Sequence, residues 1–210
     1  MFFNYLVLIL HKNAKTPFPM KKILLVATLI ITSLFSEVQA QKQIVFEGVT
    51  LPRTIKFENK TLQLNGAGSR SKMWVEVYIQ ALYLSQLSQN PKEIINDNLE
   101  MSIRIEITSA LVSSGKLTRA LHAGFEKSAG ADLEKYKPKM ELLKSFLADE
   151  IKRGDVFELT YNPIDSSIWI IKNGELKGKV PGLDFKKVFF GIWLGDKPVD
   201  EELKNSLLGI

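Results

Sequence analysis

The sequence predicts a single α+β domain, with strands first, then helices, then strands again and a helical close. Three observations predict it. Met73 to Leu84 and Met101 to Thr108 alternate with the two-residue period of a strand, and two later segments space their apolar residues at helical intervals. Asn173-Gly174 then sits between two strand-like runs, where a tight hairpin needs two residues that accept positive φ. This segregated order belongs to α+β architecture, whereas a parallel sheet requires repeating βαβ units.

The elements follow in order. Ile44 to Thr50 and Thr61 to Leu64 read as strands, the second leading through a Gly-rich turn into the long run at Met73. In that run Met73, Val75, Val77, Ile79 and Ala81 alternate with Trp74, Glu76, Tyr78, Gln80 and Leu82, so one strand has two chemically different faces. Met101, Ile103, Ile105 and Ile107 alternate in the same way with Ser102, Arg104, Glu106 and Thr108. The period then changes. Leu117, Leu121, Gly124 and Phe125 share one helical face, as do Met140, Leu143, Leu147 and Ile151 before Gly154 stops the helix. Strands return at Val156 to Tyr161, Ser167 to Ile171 and Leu176 to Val180. Phe185, Val188, Phe189, Ile192 and Trp193 form a further helical stripe, and after a Gly195-Asp196-Lys197-Pro198 break Asp200 is placed to cap a last short helix.

The N-terminus has a different design. Met20-Lys21-Lys22 is basic, Ile23 to Phe35 is almost wholly apolar, and Val38-Gln39-Ala40 supplies the small residues of a cleavage site. The pattern predicts a secretory signal over residues 20–40, cut after Ala40. The apolar run is shorter than the roughly 20 residues that a spanning helix needs, so no stable membrane span is expected after cleavage. Residues 1–19 read as an extension from an upstream start, and residues 41–210 as the folded domain of an exported, periplasmic protein. Without residues 1–40 the chain keeps 24 basic and 22 acidic groups, too even a balance for a nucleic-acid stripe. The chain has no cysteine, which excludes disulfides, thiolate metal sites and a cysteine nucleophile. One histidine, His122, remains in the domain, so no typical zinc site is expected, and no phosphate loop or hydrolase elbow points to a cofactor or a nucleophile. His122 lies opposite the Leu117/Leu121/Phe125 stripe and reads as an exposed helix residue. Trp169, Trp193 and Phe189 read as core, and Arg104 and Glu106, on one strand face, as pairing with the neighbouring strand or lining the cleft.

Two stretches carry more than a pattern. Leu64-Asn65-Gly66-Ala67-Gly68-Ser69-Arg70, followed by Val77-Tyr78-Ile79-Gln80-Ala81-Leu82-Tyr83-Leu84, opens the domain. Phe189-Phe190-Gly191-Ile192-Trp193-Leu194-Gly195, followed by Leu207-Leu208-Gly209, closes it. Together with Gly154-Asp155 these segments resemble the chalcone isomerase-like family from about Val45 to Gly209. The resemblance implies an open-faced β-sandwich, a large antiparallel sheet backed by helices, with a ligand cleft between the two.

It also implies a site. Arg70 matches the arginine shared by the plant isomerases and their non-catalytic relatives, and its planar fork suits a carboxylate or a phenolate-like oxygen. Read as residues alone, Arg70 is a surface arginine paired with a carboxylate such as Glu76, and it is the family motif around it that favours the ligand role. Tyr78 matches the tyrosine of the fatty-acid-binding branch, which holds the carboxylate with the arginine; the isomerases carry threonine there. Where the isomerases place a tyrosine and an asparagine, this chain carries Ser113 and Ala120, and Ile192 stands where they use a polar residue. Ser113 and Ile192 are therefore secondary cleft candidates, and no catalytic residue is assigned. The expected function is an exported, non-catalytic binder of a small amphipathic acid such as a fatty acid. The rivals are an intramolecular lyase of chalcone isomerase type, with Arg70 on a developing oxyanion, and an envelope protein with a vestigial cleft.

Overall fold

The computed structural model describes residues 42–72 and 75–210, so the signal and the upstream extension expected over residues 1–40 lie outside the described residues. Strands β1 (Gln43–Phe46) and β2 (Val49–Pro52) form a two-stranded hairpin. Strands β3 (Thr54–Phe57), β4 (Lys60–Lys72), β5 (Val75–Leu84), β6 (Met101–Ile107), β7 (Val156–Asn162), β8 (Ser167–Lys172) and β9 (Glu175–Pro181) pair in chain order as a seven-stranded antiparallel sheet. Among the described residues five α-helices accompany it: α1 (Pro91–Asn96), α2 (Ser114–Ala129), α3 (Leu133–Phe146), α4 (Leu183–Leu194) and α5 (Glu201–Leu208). The expected α+β class and helix-backed antiparallel sheet are the ones observed. No helix among the described residues is long and apolar enough to cross a membrane.

Alternation along the strands sorts side chains into two cores. Leu82, Leu84, Ile103, Ile105, Ile107, Phe157 and Leu159 point to the helices and are buried with Phe125, Phe185 and Phe189. Ile79, Ala81 and Tyr83 point the other way and bury with Leu51, Phe57 and Leu62 beneath the β1–β2 hairpin. Helix α4 is apolar around most of its circumference because it lies inside the helical layer. Gly124 of α2 meets it at Ile192, where an added Cβ would come within 2.6 Å of Ile192 Cγ2, and Ser128 Oγ donates to Val188 O at 2.7 Å. The Asn173-Gly174 turn has φ of 52° and 81°, as the hairpin predicts.

Three expectations are corrected. Ile44 to Thr50 is not one strand: Glu47 and Gly48, both at positive φ, turn the chain between β1 and β2. Helix α3 ends at Phe146 instead of running on towards Gly154; Leu147 and Ile151 remain buried, but in an irregular segment. The Gly-rich segment is not a turn. It lies inside β4, a continuous 13-residue strand, and neither Gly66 nor Gly68 has positive φ. These glycines serve close approach: a Cβ on Gly66 would lie 2.2 Å from Ser206 O and 2.6 Å from Leu207 O of α5.

Within the helical layer Lys186 is fully buried. Its Nζ donates to the last carbonyls around α1, Ile94 O at 3.0 Å and Asp97 O at 2.5 Å. Burial pushes its ammonium down to about 8, against attraction from Asp97 and with repulsion from Lys187. The folded chain therefore binds fewer protons than the unfolded chain between about pH 8 and 10.5, and this group makes stability rise with pH across that window. A depression of this size corresponds to roughly 3 kcal/mol. Urea unfolding at pH 8 and pH 10.5 should show that rise in the wild type relative to Lys186→Met, and parallel curves for the two proteins would refute it.

Candidate functional site

Two bulges decide what faces the helices. In the β4–β5 ladder Leu64 pairs with Tyr83 and Gly66 with Leu82, so Asn65 is an extra residue on β4. An unbroken two-residue period would put Leu62, Leu64, Gly66, Gly68 and Arg70 on one face. The bulge inverts the alternation at Asn65: Leu62 and Leu64 pack with the hairpin core, while Gly66, Gly68 and Arg70 turn to the helices. Asn65 holds the bulge with its side chain, donating to Ser88 O and Leu207 O at 3.0 Å each and accepting from Ser88 N at 3.0 Å.

The second bulge is on β5. Arg70 pairs with Tyr78 and Ser71 with Glu76, so Val77 is the extra residue. Tyr78 and Gln80 consequently share the helix-facing side, but Glu76 does not join them, contrary to simple alternation. Glu76 instead lies by Glu47 of the β1–β2 turn; burial and the Glu47 carboxylate raise its pKa. It is not the partner of Arg70.

That partner is Asp200, whose Oδ2 pairs with Arg70 Nη1. Asp200 is also the N-cap of α5 and accepts from Leu203 N at 3.0 Å through Oδ1. Cross-strand pairing sets Tyr78 directly opposite Arg70. Burial raises the pKa of its phenol, opposed by the neighbouring Trp193 indole and by the Arg70 charge, so Tyr78 is a neutral phenol at ordinary pH. Arg70, Tyr78, Trp193 and Asp200 thus form a half-buried polar cluster where the sheet meets α4 and α5. One residue deeper on the same face lies Gln80, fully buried, with neither Oε1 nor Nε2 finding a partner among the described residues. It stands between Gly68 and Ile105 on the neighbouring strands.

The arrangement supplies a cationic fork, a phenol and an amide along one line into an apolar layer, and so suits an anionic or strongly polar head on an apolar body. An unpartnered buried amide is costly. Replacing Gln80 with the near-isosteric Met is expected to raise the unfolding free energy by about 1–3 kcal/mol. A urea midpoint that falls in Gln80→Met would show that the amide is satisfied.

The other sequence candidates lie apart from this cluster. Ser113 is exposed and caps α2, accepting from Lys116 N at 3.4 Å. Ala120 is also exposed. Ile192 is buried against Gly124 and fills the interlayer. His122 is exposed, with Nδ1 3.4 Å from Glu126 Oε1. Arg104 Nη2 donates to Glu106 Oε2 at 2.8 Å, on the sheet face turned away from the helices. Trp169 packs edge-on against Phe57 in the hairpin core.

Sequence reasoning missed Gln80, Asp200 and Trp193 as members of the site. Gln80 had a signal: a long polar side chain between Tyr78 and Leu82 in an otherwise apolar strand. Asp200 was legible only as a cap, since its contact with Arg70 spans 130 residues. A groove of about 430 Å³ lies elsewhere, between α1, α2 and α4, and is lined by Lys92, Lys127, Lys187 and Lys197.

Known proteins resemble this chain in sequence and in fold. A chalcone isomerase-like family model matches residues 43–209. Fatty-acid-binding protein 2 of Arabidopsis thaliana is 27% identical over 123 residues, which is 55% of this chain and 30% of that protein, so the chain spans well under two thirds of that relative. Among solved structures, a fatty-acid-binding protein of Arabidopsis thaliana superposes with a TM-score of 0.66 at 16% identity, covering 79% of this chain and 95% of that one. This is a likeness of fold.

Proposed function

The chain belongs to the chalcone isomerase-like family, and from that premise we propose that it is a non-catalytic binder of a small amphipathic acid, in the simplest case a fatty acid. The carboxylate lies between Arg70 and Tyr78, and the tail enters the layer between sheet and helices. Gln80 carries the reading: a fully buried amide with no partner among the described residues, beside Tyr78, is a recognition group awaiting a polar atom. Similarity to a protein named for fatty-acid binding supports the ligand class. The interlayer is filled by Ile105, Ile192, Leu203 and their neighbours, so a tail is admitted as these side chains repack.

The N-terminal pattern supports export to the periplasm, with the mature chain starting at Gln41. One experiment reads both proposals. The whole chain is expressed in a bacterial host, recovered from the periplasm, and examined by native mass spectrometry with extraction of any bound lipid. The expected result is a mature protein beginning at Gln41 that carries a long-chain carboxylic acid, lost in Arg70→Ala. An empty protein that takes up no added palmitate would overturn the binder reading, and turnover of a chalcone that depends on Arg70 would put an isomerase in its place.

A further inference from the structure

We infer that Asp200 is a built-in competitor for the anion site: its carboxylate occupies Arg70 when no ligand is bound, and an incoming acid must displace it. This inference rests on the proposed role of Arg70. Asp200 has two separable tasks on two oxygens. Oδ1 caps α5 through Leu203 N, while Oδ2 pairs with the Arg70 guanidinium. Any oxygen-bearing N-cap serves the first task, and Ser, Thr or Asn does so without charge. The second task needs the carboxylate, and it places a negative charge where a ligand carboxylate would sit. Two carboxylates at one guanidinium repel each other, so the acid binds only against the charge of Asp200.

The pair is only half-buried, with side-chain exposures of 27% for Arg70 and 22% for Asp200. Its own contribution to folding is therefore small, and its separation is not prohibitive. Helix α5 is held independently of it, by Leu203, Leu207 and Leu208 in the core and by the Asn65 bond to Leu207 O. Release of Asp200 from Arg70 thus leaves the helix docked. Asp200 engages the guanidinium through one oxygen only, so it keeps the fork from binding weak anions but yields to an acid whose carboxylate also reaches Tyr78 and whose tail is buried.

The test uses Asp200→Asn and, as a second uncharged cap, Asp200→Ser, with dodecanoate and methyl dodecanoate as probes in isothermal titration. Both variants should bind dodecanoate about tenfold tighter than wild type. Methyl dodecanoate, which has no carboxylate to compete, should bind all three proteins alike. Dodecanoate affinity that is unchanged or weaker in both variants, while Arg70→Ala still abolishes binding, would overturn the competitor role and leave the binding reading intact. Dodecanoate affinity that survives Arg70→Ala would overturn both. Thermal melts of each variant show whether the cap survives, and the methyl ester control separates loss of charge from loss of fold.

Discussion

Arg70→Ala is expected to weaken binding of a long-chain carboxylate by about 2 to 5 kcal/mol, thirtyfold or more, while leaving the fold in place. The size follows from where the guanidinium stands. It projects from β4 into the junction of sheet and helices, opposite a neutral Tyr78, where a ligand carboxylate loses water and must recover that loss from charge-assisted hydrogen bonds. Stability should change little. The pair with Asp200 is partly exposed, which makes it worth about 0–1 kcal/mol, and Asp200 still caps α5 without it. Arg70→Lys separates charge from shape: a lysine keeps attraction but not the planar fork, and binding should fall between wild type and Arg70→Ala. Titration with dodecanoate measures all three. Equal affinities would remove Arg70 from the site.

The largest loss of stability is expected at Gly66. An alanine there puts a Cβ 2.2 Å from Ser206 O, 2.6 Å from Leu207 O and 2.8 Å from Leu207 C, all of them backbone atoms that cannot rotate aside. Helix α5 must retreat as a body. That retreat strains the burial of Leu203, Leu207 and Leu208 and the bond from Asn65 to Leu207 O. Overpacking of this kind costs on the order of 3 kcal/mol or more. Gly68→Ala is the informative contrast. Its Cβ would meet one fixed atom, Ser206 Cβ at 2.7 Å, and the rotatable end of Leu203, Cδ1 at 3.0 Å, a milder clash than three backbone atoms within 2.8 Å, so its cost should be smaller. Urea midpoints of the two variants check the order, and a Gly66→Ala protein within about 1 kcal/mol of wild type would contradict the close packing of α5 on β4. Since α5 carries Asp200, its retreat also takes the carboxylate from Arg70.

Much of the architecture was legible because it is written in short periods. Alternation located β5 and β6, helical spacing located α2 and α4, and Asn173-Gly174 located a hairpin, since each depends on neighbours within a few residues. The short α1 and the early end of α3 were not legible. Helix α1 has one buried side chain, Ile94, and depends on Lys186 from 92 residues away to satisfy its carbonyls. The Gly-rich segment was misread as a turn because glycine in a sequence signals freedom of φ as readily as absence of volume. Only the neighbouring helix distinguishes the two.

The sequence by itself determined the class of fold, the order of its elements, the cap at Asp200 and the singling out of Arg70 and Tyr78, all through local periodicity and motif. The tertiary structure decided which way those residues face and what they meet. A bulge shifts the alternation of every residue beyond it, so Asn65 turns Arg70 towards the helices and Val77 sends Glu76 to the opposite side, and neither shift leaves a mark in composition. The pairing of Arg70 with Asp200 and the isolation of Gln80 arise for the same reason. They depend on register between strands and on the docking of α5, which are properties of the packed chain and not of any window along it.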